Sequence, residues 1–148
     1  MKDIISVIRD ATASSKYISR INGGYVPLPV PQQNGRNIFV VNCEYVNELE
    51  RESANRILDI ARHDATMILG QLSHIKLDDT TGVCIRFGFY VGHQLRDTVY
   101  ACNVPADHLI DLPNGEVGAY WLRSFNMNCP IEYSTIPGVT ELLSSQSN

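Results

Sequence analysis

An apolar stripe between residues 54 and 72 limits the folds open to this chain more than any other feature. Asn47 and Glu50 match a capping box, so we predict one helix over residues 48–72, about 37 Å long at roughly 1.5 Å per residue. Glu52 and Arg56 are spaced to form an ion pair one turn apart on it. A helix of this length with one apolar face needs a sheet or another subunit to cover it. The stripe consists of Ala54, Ile57, Leu58, Ala61, Ala65, Ile68, Leu69 and Leu72.

The other periodic segments predict one more helix and several strands. Within residues 3–18 the apolar positions Ile4, Val7, Ile8 and Ala11 share one helical face, which indicates a short N-terminal helix. Runs rich in β-branched and aromatic residues, bounded by turn residues, indicate strands. These strands are predicted at residues 37–43, 82–91, 96–104, 117–125 and 129–136.

The segment GGYVPLPVPQQNG, residues 23–35, is the least ordinary part of the chain. Pro27, Pro29 and Pro31 lack amide donors and fix φ near about −65°, so the segment is extended and cannot lie in the centre of a sheet. It is predicted to be polyproline-like or an edge strand. A stiff extended segment suits recognition of a ligand; it is equally suited to lie against a neighbouring subunit.

The order of these elements predicts the fold class. We expect an α+β protein with an antiparallel sheet of about four to six strands, and with the long helix and the shorter N-terminal helix packed on one face. The length of 148 residues is typical of one domain. We therefore assign residues 1–143 to a single α+β domain and residues 144–148 to a mobile polar tail.

Charge and composition exclude some functions and indicate a location. The net charge of −4 argues against non-specific binding to nucleic acid, which needs a clustered basic surface. The chain has no apolar run that predicts a membrane span or a signal peptide. Its four cysteines form no CxxC pair, so we expect reduced thiols, no bound metal or cofactor, and a cytoplasmic location. The length of the helix favours a homo-oligomer.

The strand at residues 82–91 alternates cleanly between apolar and mixed positions. Its odd-numbered residues from Val83 to Val91 are apolar and are expected to face the long helix. A three-residue loop, 92–94, would pair the two apolar faces of the hairpin. In that register Arg86 lies beside Tyr100, Tyr90 beside Arg96, and Cys84 beside Cys102.

This register predicts a surface of arginine and tyrosine side chains. Arginine forks grip phosphate or carboxylate, and tyrosine rings stack on flat groups. Gly88 would let a ligand approach the backbone, and Tyr25 would reach over the site from the proline-rich segment. The alternative interpretation is cross-strand packing with cation–π contacts and no ligand. The candidate ligand-binding residues are Tyr25, Arg86, Tyr90, Arg96 and Tyr100.

Two further pairs of residues could form a catalytic or metal site, or could be ordinary surface residues. His93 and Asp97 have the spacing of an acid–base pair at the end of a hairpin and are the catalytic residues to test if the protein is an enzyme. Such loop residues are more often ordinary surface residues. The dipeptide His63-Asp64 occurs in metal-dependent phosphohydrolases, but in one amphipathic helix it is better interpreted as part of a solvated face.

No assembled catalytic set is apparent, so the sequence favours binding without chemistry. The leading hypothesis is a non-enzymatic cytoplasmic binding module, an accessory protein such as phages and mobile elements encode. It would capture a small anionic, nucleotide-like ligand or a partner protein. One alternative is a small oligomeric enzyme with an active site between subunits. Another is a purely structural assembly protein that uses the apolar helix stripe as its interface.

Overall fold

The computed structural model describes residues 3–27, 37–75, 81–105 and 132–146. Its three α-helices and five strands follow in the order below, with a 3₁₀ helix, Asn47–Arg51, between β2 and α2. The predicted strand at 117–125 lies outside the described residues. The elements are α1 Ile4–Ala11, β1 Ile18–Pro27, β2 Asn37–Tyr45, α2 Ala54–Leu72, β3 Thr81–Val91, β4 Gln94–Pro105, β5 Glu132–Tyr133 and α3 Pro137–Gln146.

The strands form one mixed sheet in the order β1-β2-β3-β4-β5. β2 and β3 are parallel, whereas the other three neighbouring pairs are antiparallel. The α+β class is confirmed, but the prediction of a purely antiparallel sheet is wrong. The reason is that α2 carries the chain from the end of β2 back to the start of β3, and a helical crossover of this kind joins parallel neighbours.

β1 is an edge strand of the described sheet, as predicted for the first part of the proline-rich segment. Residues 23–27 continue β1 in an antiparallel ladder with β2, which places Tyr25 opposite Phe39 and Pro27 opposite Asn37. Residues 28–36, with Pro29 and Pro31, lie outside the described residues.

One hydrophobic core joins the helices to the sheet. α2 contacts β4, and both α1 and α3 pack against α2. The apolar stripe of α2 is thus covered by its own chain: Ile57 is 4% exposed and Ile68 is 0% exposed. None of the helices among the described residues combines the length and the apolar character that a membrane crossing requires.

α2 begins later than predicted. Ser53 is its N-cap and accepts a hydrogen bond from the Arg56 amide at 3.2 Å, as serine often does at this position. Residues 47–51, predicted to be the first turns of the same helix, form the 3₁₀ helix instead, and Glu52 after it is extended. The predicted Glu52–Arg56 ion pair is not formed within the described residues, because the two residues do not share a helix.

The C-terminal segment contains a helix that the sequence does not predict. Of the described residues in the predicted strand 129–136, Glu132 and Tyr133 pair with β4, and α3 begins directly after it at Pro137. Proline is favoured in the first turn of a helix because its missing amide donor has no partner there in any case. Residues 144–146, assigned from the sequence to the polar tail, belong to α3, and residues 147 and 148 lie outside the described residues.

Candidate functional site

The β3–β4 hairpin closes through a two-residue turn, Gly92-His93, with Gly92 at φ 62°. Two irregularities along the hairpin then shift the register, so that Tyr100 lies opposite Phe87 and Arg86 opposite Ala101. The predicted three-residue loop and its pairs are therefore wrong. Each bulge inserts one unpaired residue and changes which face its neighbours occupy, and the alternation of β3 alone does not reveal a bulge in β4.

The new register separates two of the candidate ligand-binding residues, Arg96 and Tyr100, from Arg86. Tyr100 is 0% exposed and stacks on Phe87, with ring centroids 6.2 Å apart, inside the core. Arg96 forms ion pairs with Glu50 and, at 3.1 Å, with Asp97, and its guanidinium lies 5.3 Å from the centre of the Phe89 ring. Neither residue shares a surface with Arg86.

Arg86 and Tyr90 do lie together, on the face of the sheet opposite the core. Arg86 Nε donates to Asn42 Oδ1 at 2.9 Å. Burial raises the pKa of Tyr90, and the charges of Arg86 and Glu44 act on it. Arg20 pairs with Glu44 at 2.5 Å on the neighbouring strands. For Tyr25 the structure describes the backbone register and not the side chain.

Gly88 offers no room for a ligand. A Cβ atom at this position would lie 2.5 Å from Leu95 Cδ1 and 2.9 Å from the Asp97 carbonyl oxygen. The space next to the glycine is therefore filled by the chain itself, and the expectation of close ligand approach is wrong.

The pair His93 and Asp97 is not assembled as an acid–base unit. His93 is exposed in the hairpin turn, while the Asp97 carboxylate pairs with Arg96 at 3.1 Å. No hydrogen bond joins the two side chains within the described part of the chain. The hypothesis of an inter-subunit enzyme with these residues stays a prediction.

The structure contains a cleft between α1 and α2 that the sequence did not indicate. Its volume is about 380 Å³, within the range of small-molecule sites. One wall is the end of α1 with the loop that follows it, and the other wall is one face of α2. We call it the α1–α2 cleft; its lining residues are Ala11, Ser14, Ser15, Lys16, Tyr17, Arg56, Asp59, Ile60, His63, Asp64 and Met67.

Asp64 is the buried acid of this cleft. It is 5% exposed, and its Oδ2 atom accepts hydrogen bonds from the hydroxyl of Tyr45 at 2.6 Å and from that of Ser15 at 3.2 Å. Burial raises the pKa of the Asp64 carboxyl above its ordinary value; the two hydrogen bonds and the nearby His63 lower it and offset only part of that effect. Asp64 thus ties α2 to β2 and to the α1–β1 loop.

The burial of Asp64 follows from its place in the helix. It stands three residues after Ala61 and four before Ile68, so it occupies a position within the apolar stripe. The interpretation of His63-Asp64 as a solvated pair is right for His63, which is exposed, and wrong for Asp64. A carboxylate at a stripe position is the signal that could have located the cleft, because such a group needs donors inside the fold.

Two cationic side chains, Lys16 and Arg56, line the cleft. Among the described residues, neither Lys16 nor Arg56 forms an ion pair. Both side chains are exposed at the rim, and Arg56 lies in the first turn of α2. They are placed to meet an anionic group that enters from solvent.

A second polar cluster lies deeper, between α2 and β5. Arg62 NH2 donates to Glu132 Oε2 at 2.6 Å, and the Glu132 side chain is 7% exposed. The Tyr100 hydroxyl and Glu132 Oε1 are buried beside this pair, and burial raises the pKa of Tyr100, on which Glu132 and Arg62 both act as well. The cluster is enclosed and attaches β5 to the helix layer, so its evident role is structural.

Comparison of the chain with protein-family models, with curated proteins and with solved structures yields no match. The α1–α2 cleft is therefore the feature of the molecule from which we propose a function.

Proposed function

We propose that this protein is a binding module that captures a small ligand with an anionic group in the α1–α2 cleft. The observation that carries the proposal is a cleft of about 380 Å³ lined by Lys16, Arg56 and the buried carboxyl of Asp64. Within the described residues neither of the two cations forms an ion pair. Cleft, cations and perturbed acid together are the usual marks of a small-molecule site.

Arg56 is the residue best placed to hold the anion. Its guanidinium offers a planar set of donors that matches a carboxylate or a phosphate. Its position in the first turn of α2 adds the favourable field of the helix N-terminus. Lys16 approaches from the opposite wall, so that a ligand in the cleft would meet cations from two elements.

The non-polar side chains of the cleft suit a ligand that has a carbon part in addition to its anionic group. Ile60, Tyr17 and Met67 line the same cleft, and Met67 is 40% exposed. Burial of such side chains against the carbon part of a ligand would add to the binding free energy. The size of the cleft and its mixed lining suit a small organic molecule with an anionic group better than inorganic phosphate alone.

The test is calorimetric titration of inorganic phosphate and of adenosine monophosphate into the wild type and two variants. We expect Arg56→Gln to weaken binding about tenfold or more, the usual effect of one charge-assisted hydrogen bond. Arg51→Gln removes the same charge from an exposed residue outside the cleft and is the matched control. Equal loss in both variants, or no binding of either compound, would contradict the proposal.

The arginine–tyrosine face of the sheet remains a second candidate location for the same function. Arg86 and Tyr90 lie together there, half-buried, although Arg86 is held by Asn42. If Arg86→Ala abolishes binding of the same compounds while Arg56→Gln does not, the site is on the sheet and not in the cleft.

A further inference from the structure

We propose that the ligand of the α1–α2 cleft is a zwitterion, whose ammonium group meets Asp64 and whose anionic group meets Arg56 and Lys16. This inference rests on the proposed binding function and narrows the class of ligand. It starts from the titratable groups of the lining, which are the cations Lys16 and Arg56, the carboxyl groups Asp59 and Asp64, and the imidazole of His63, whose charge also acts on Asp64. A simple anion would leave the two carboxyl groups without a complementary charge.

Asp64 has acceptor capacity left for a ligand. Both hydrogen bonds that it accepts within the described part of the chain end on Oδ2, and Asp64 lines the cleft. A carboxylate oxygen accepts more than one hydrogen bond, and Oδ1 has its own lone pairs. Oδ1 is therefore the atom we assign to the ammonium group.

The protein alone supplies hydroxyl donors to Asp64 but no ion pair. Its two partners are the neutral side chains of Tyr45 and Ser15, and no ion pair involves Asp64 in the described residues. A buried carboxylate that lacks a cationic partner is costly. The raised pKa of Asp64, caused first by burial, has the same origin. An ammonium group in the cleft would provide the missing charge.

The positions along α2 set the length of the ligand. Arg56 and Asp64 are eight residues apart in the sequence, so their backbone positions are separated by about 12 Å along the helix axis at roughly 1.5 Å per residue. Ile60 lies between them on the cleft wall and would contact the carbon chain that joins the two ends of the ligand.

The experiment compares matched pairs of compounds that differ in the ammonium group. γ-Aminobutyrate is titrated beside butyrate, and ε-aminocaproate beside caproate, into the wild-type protein at neutral pH. We expect at least one amino acid to bind about tenfold more tightly than its matched acid, as one charge-assisted hydrogen bond would provide. This comparison uses the unaltered protein, so it holds even if a variant does not fold.

Variants then locate the group that recognises the ammonium. Asp64→Asn keeps an oxygen acceptor for Tyr45 and Ser15 and is expected to remove the preference for the amino acid, while the matched acid still binds. Glu48→Gln, which removes an exposed carboxylate outside the cleft, is expected to leave the preference unchanged.

The outcomes separate this inference from the function on which it rests. If each acid and its amino acid bind with equal affinity, and Arg56→Gln weakens the binding of both, the assignment of a zwitterionic ligand is wrong. The proposed anion-binding function is then retained. A preference for the amino acid that survives in Asp64→Asn also overturns the assignment. If none of the four compounds binds, both the zwitterion and the proposed function for such ligands fail.

Discussion

A carboxyl group enclosed between a helix and a sheet must find donors, and Asp64 finds two. The hydroxyls of Tyr45 and Ser15 both reach its Oδ2 atom, at 2.6 and 3.2 Å. Neutral donors stabilise the charge less than a cation would, which is why the pKa of Asp64 remains raised by burial. The same residue therefore connects α2 to β2 and to the α1–β1 loop, and it also lines the cleft.

This raised pKa gives a pH dependence of stability with a definite sign. Because the pKa of Asp64 is higher in the folded than in the unfolded state, the folded protein holds that proton more tightly. The resulting contribution to the free energy of unfolding is fully present below the pKa of the unfolded state, about 4. It is lost as the pH rises through the pKa of Asp64 in the folded state. Asp64→Asn lacks this dependence, so its stability relative to wild type should increase with pH across that window.

Urea denaturation at a series of pH values measures the effect as the difference between the free energies of unfolding of the two proteins. Asp59→Asn, which removes an exposed carboxyl from the same helix, controls for the change in net charge. If the difference in the free energy of unfolding between wild type and Asp64→Asn does not vary with pH, burial does not raise the pKa of Asp64.

Single residues also explain which parts of the candidate site the sequence predicts. The alternation of β3 correctly places Arg86 and Tyr90 together on one face and Phe87 in the core. It does not place Tyr100 or Arg96, because their positions depend on bulges in β4. The cleft depends on how α1 meets α2, which helical periodicity does not specify.

At the scale of elements, local patterns locate the strands and helices better than they locate the junctions between them. The stripe from Ile57 to Leu72 and the strands β3 and β4 are where the sequence predicts them. The start of α2 is not, because Ser53 competes with Asn47 as a cap and the intervening residues form a 3₁₀ helix. The parallel pairing of β2 with β3 is a property of the crossover and not of either strand's own sequence.

The described part of β5 is tied to α2 by a partly buried ion pair. Among the described residues, Glu132 and Tyr133 pair with β4, and Glu132 contacts Arg62 of α2 at 2.6 Å. Removing Glu132 deprives the partly buried Arg62 of this charge-assisted hydrogen bond, so we predict that Glu132→Ala lowers the free energy of unfolding by about 2 kcal/mol. Urea denaturation provides the measurement.

Two further variants make that prediction specific. Glu141→Ala, on the exposed side of α3, should change stability by no more than about 0.5 kcal/mol. The double variant Arg62→Met with Glu132→Leu should recover most of the loss, because non-polar groups of similar size need no counterion. If Glu132→Ala costs no more than Glu141→Ala, the ion pair does not hold β5.

At the scale of the whole molecule, each of the three functional hypotheses depends on a different part of the structure. The apolar stripe of α2, which would be the interface of a structural assembly protein, is already buried by its own chain. The enzyme hypothesis keeps His93 and Asp97 as its test residues, but they lie apart from the cleft. The proposal of small-ligand binding depends on the cleft, which is lined by Lys16, Arg56 and the buried acceptor Asp64.

The most direct test of this account is a map of backbone amide chemical shifts during titration with ε-aminocaproate. We predict shifts confined to residues 11–17 and 54–67, the two walls of the cleft, and their loss in Arg56→Gln but not in Arg51→Gln. Shifts that instead follow residues 40–44 and 84–90 would place the site on the open face of the sheet. Such a result, or the absence of any shift, would contradict the claim that the α1–α2 cleft is the binding site.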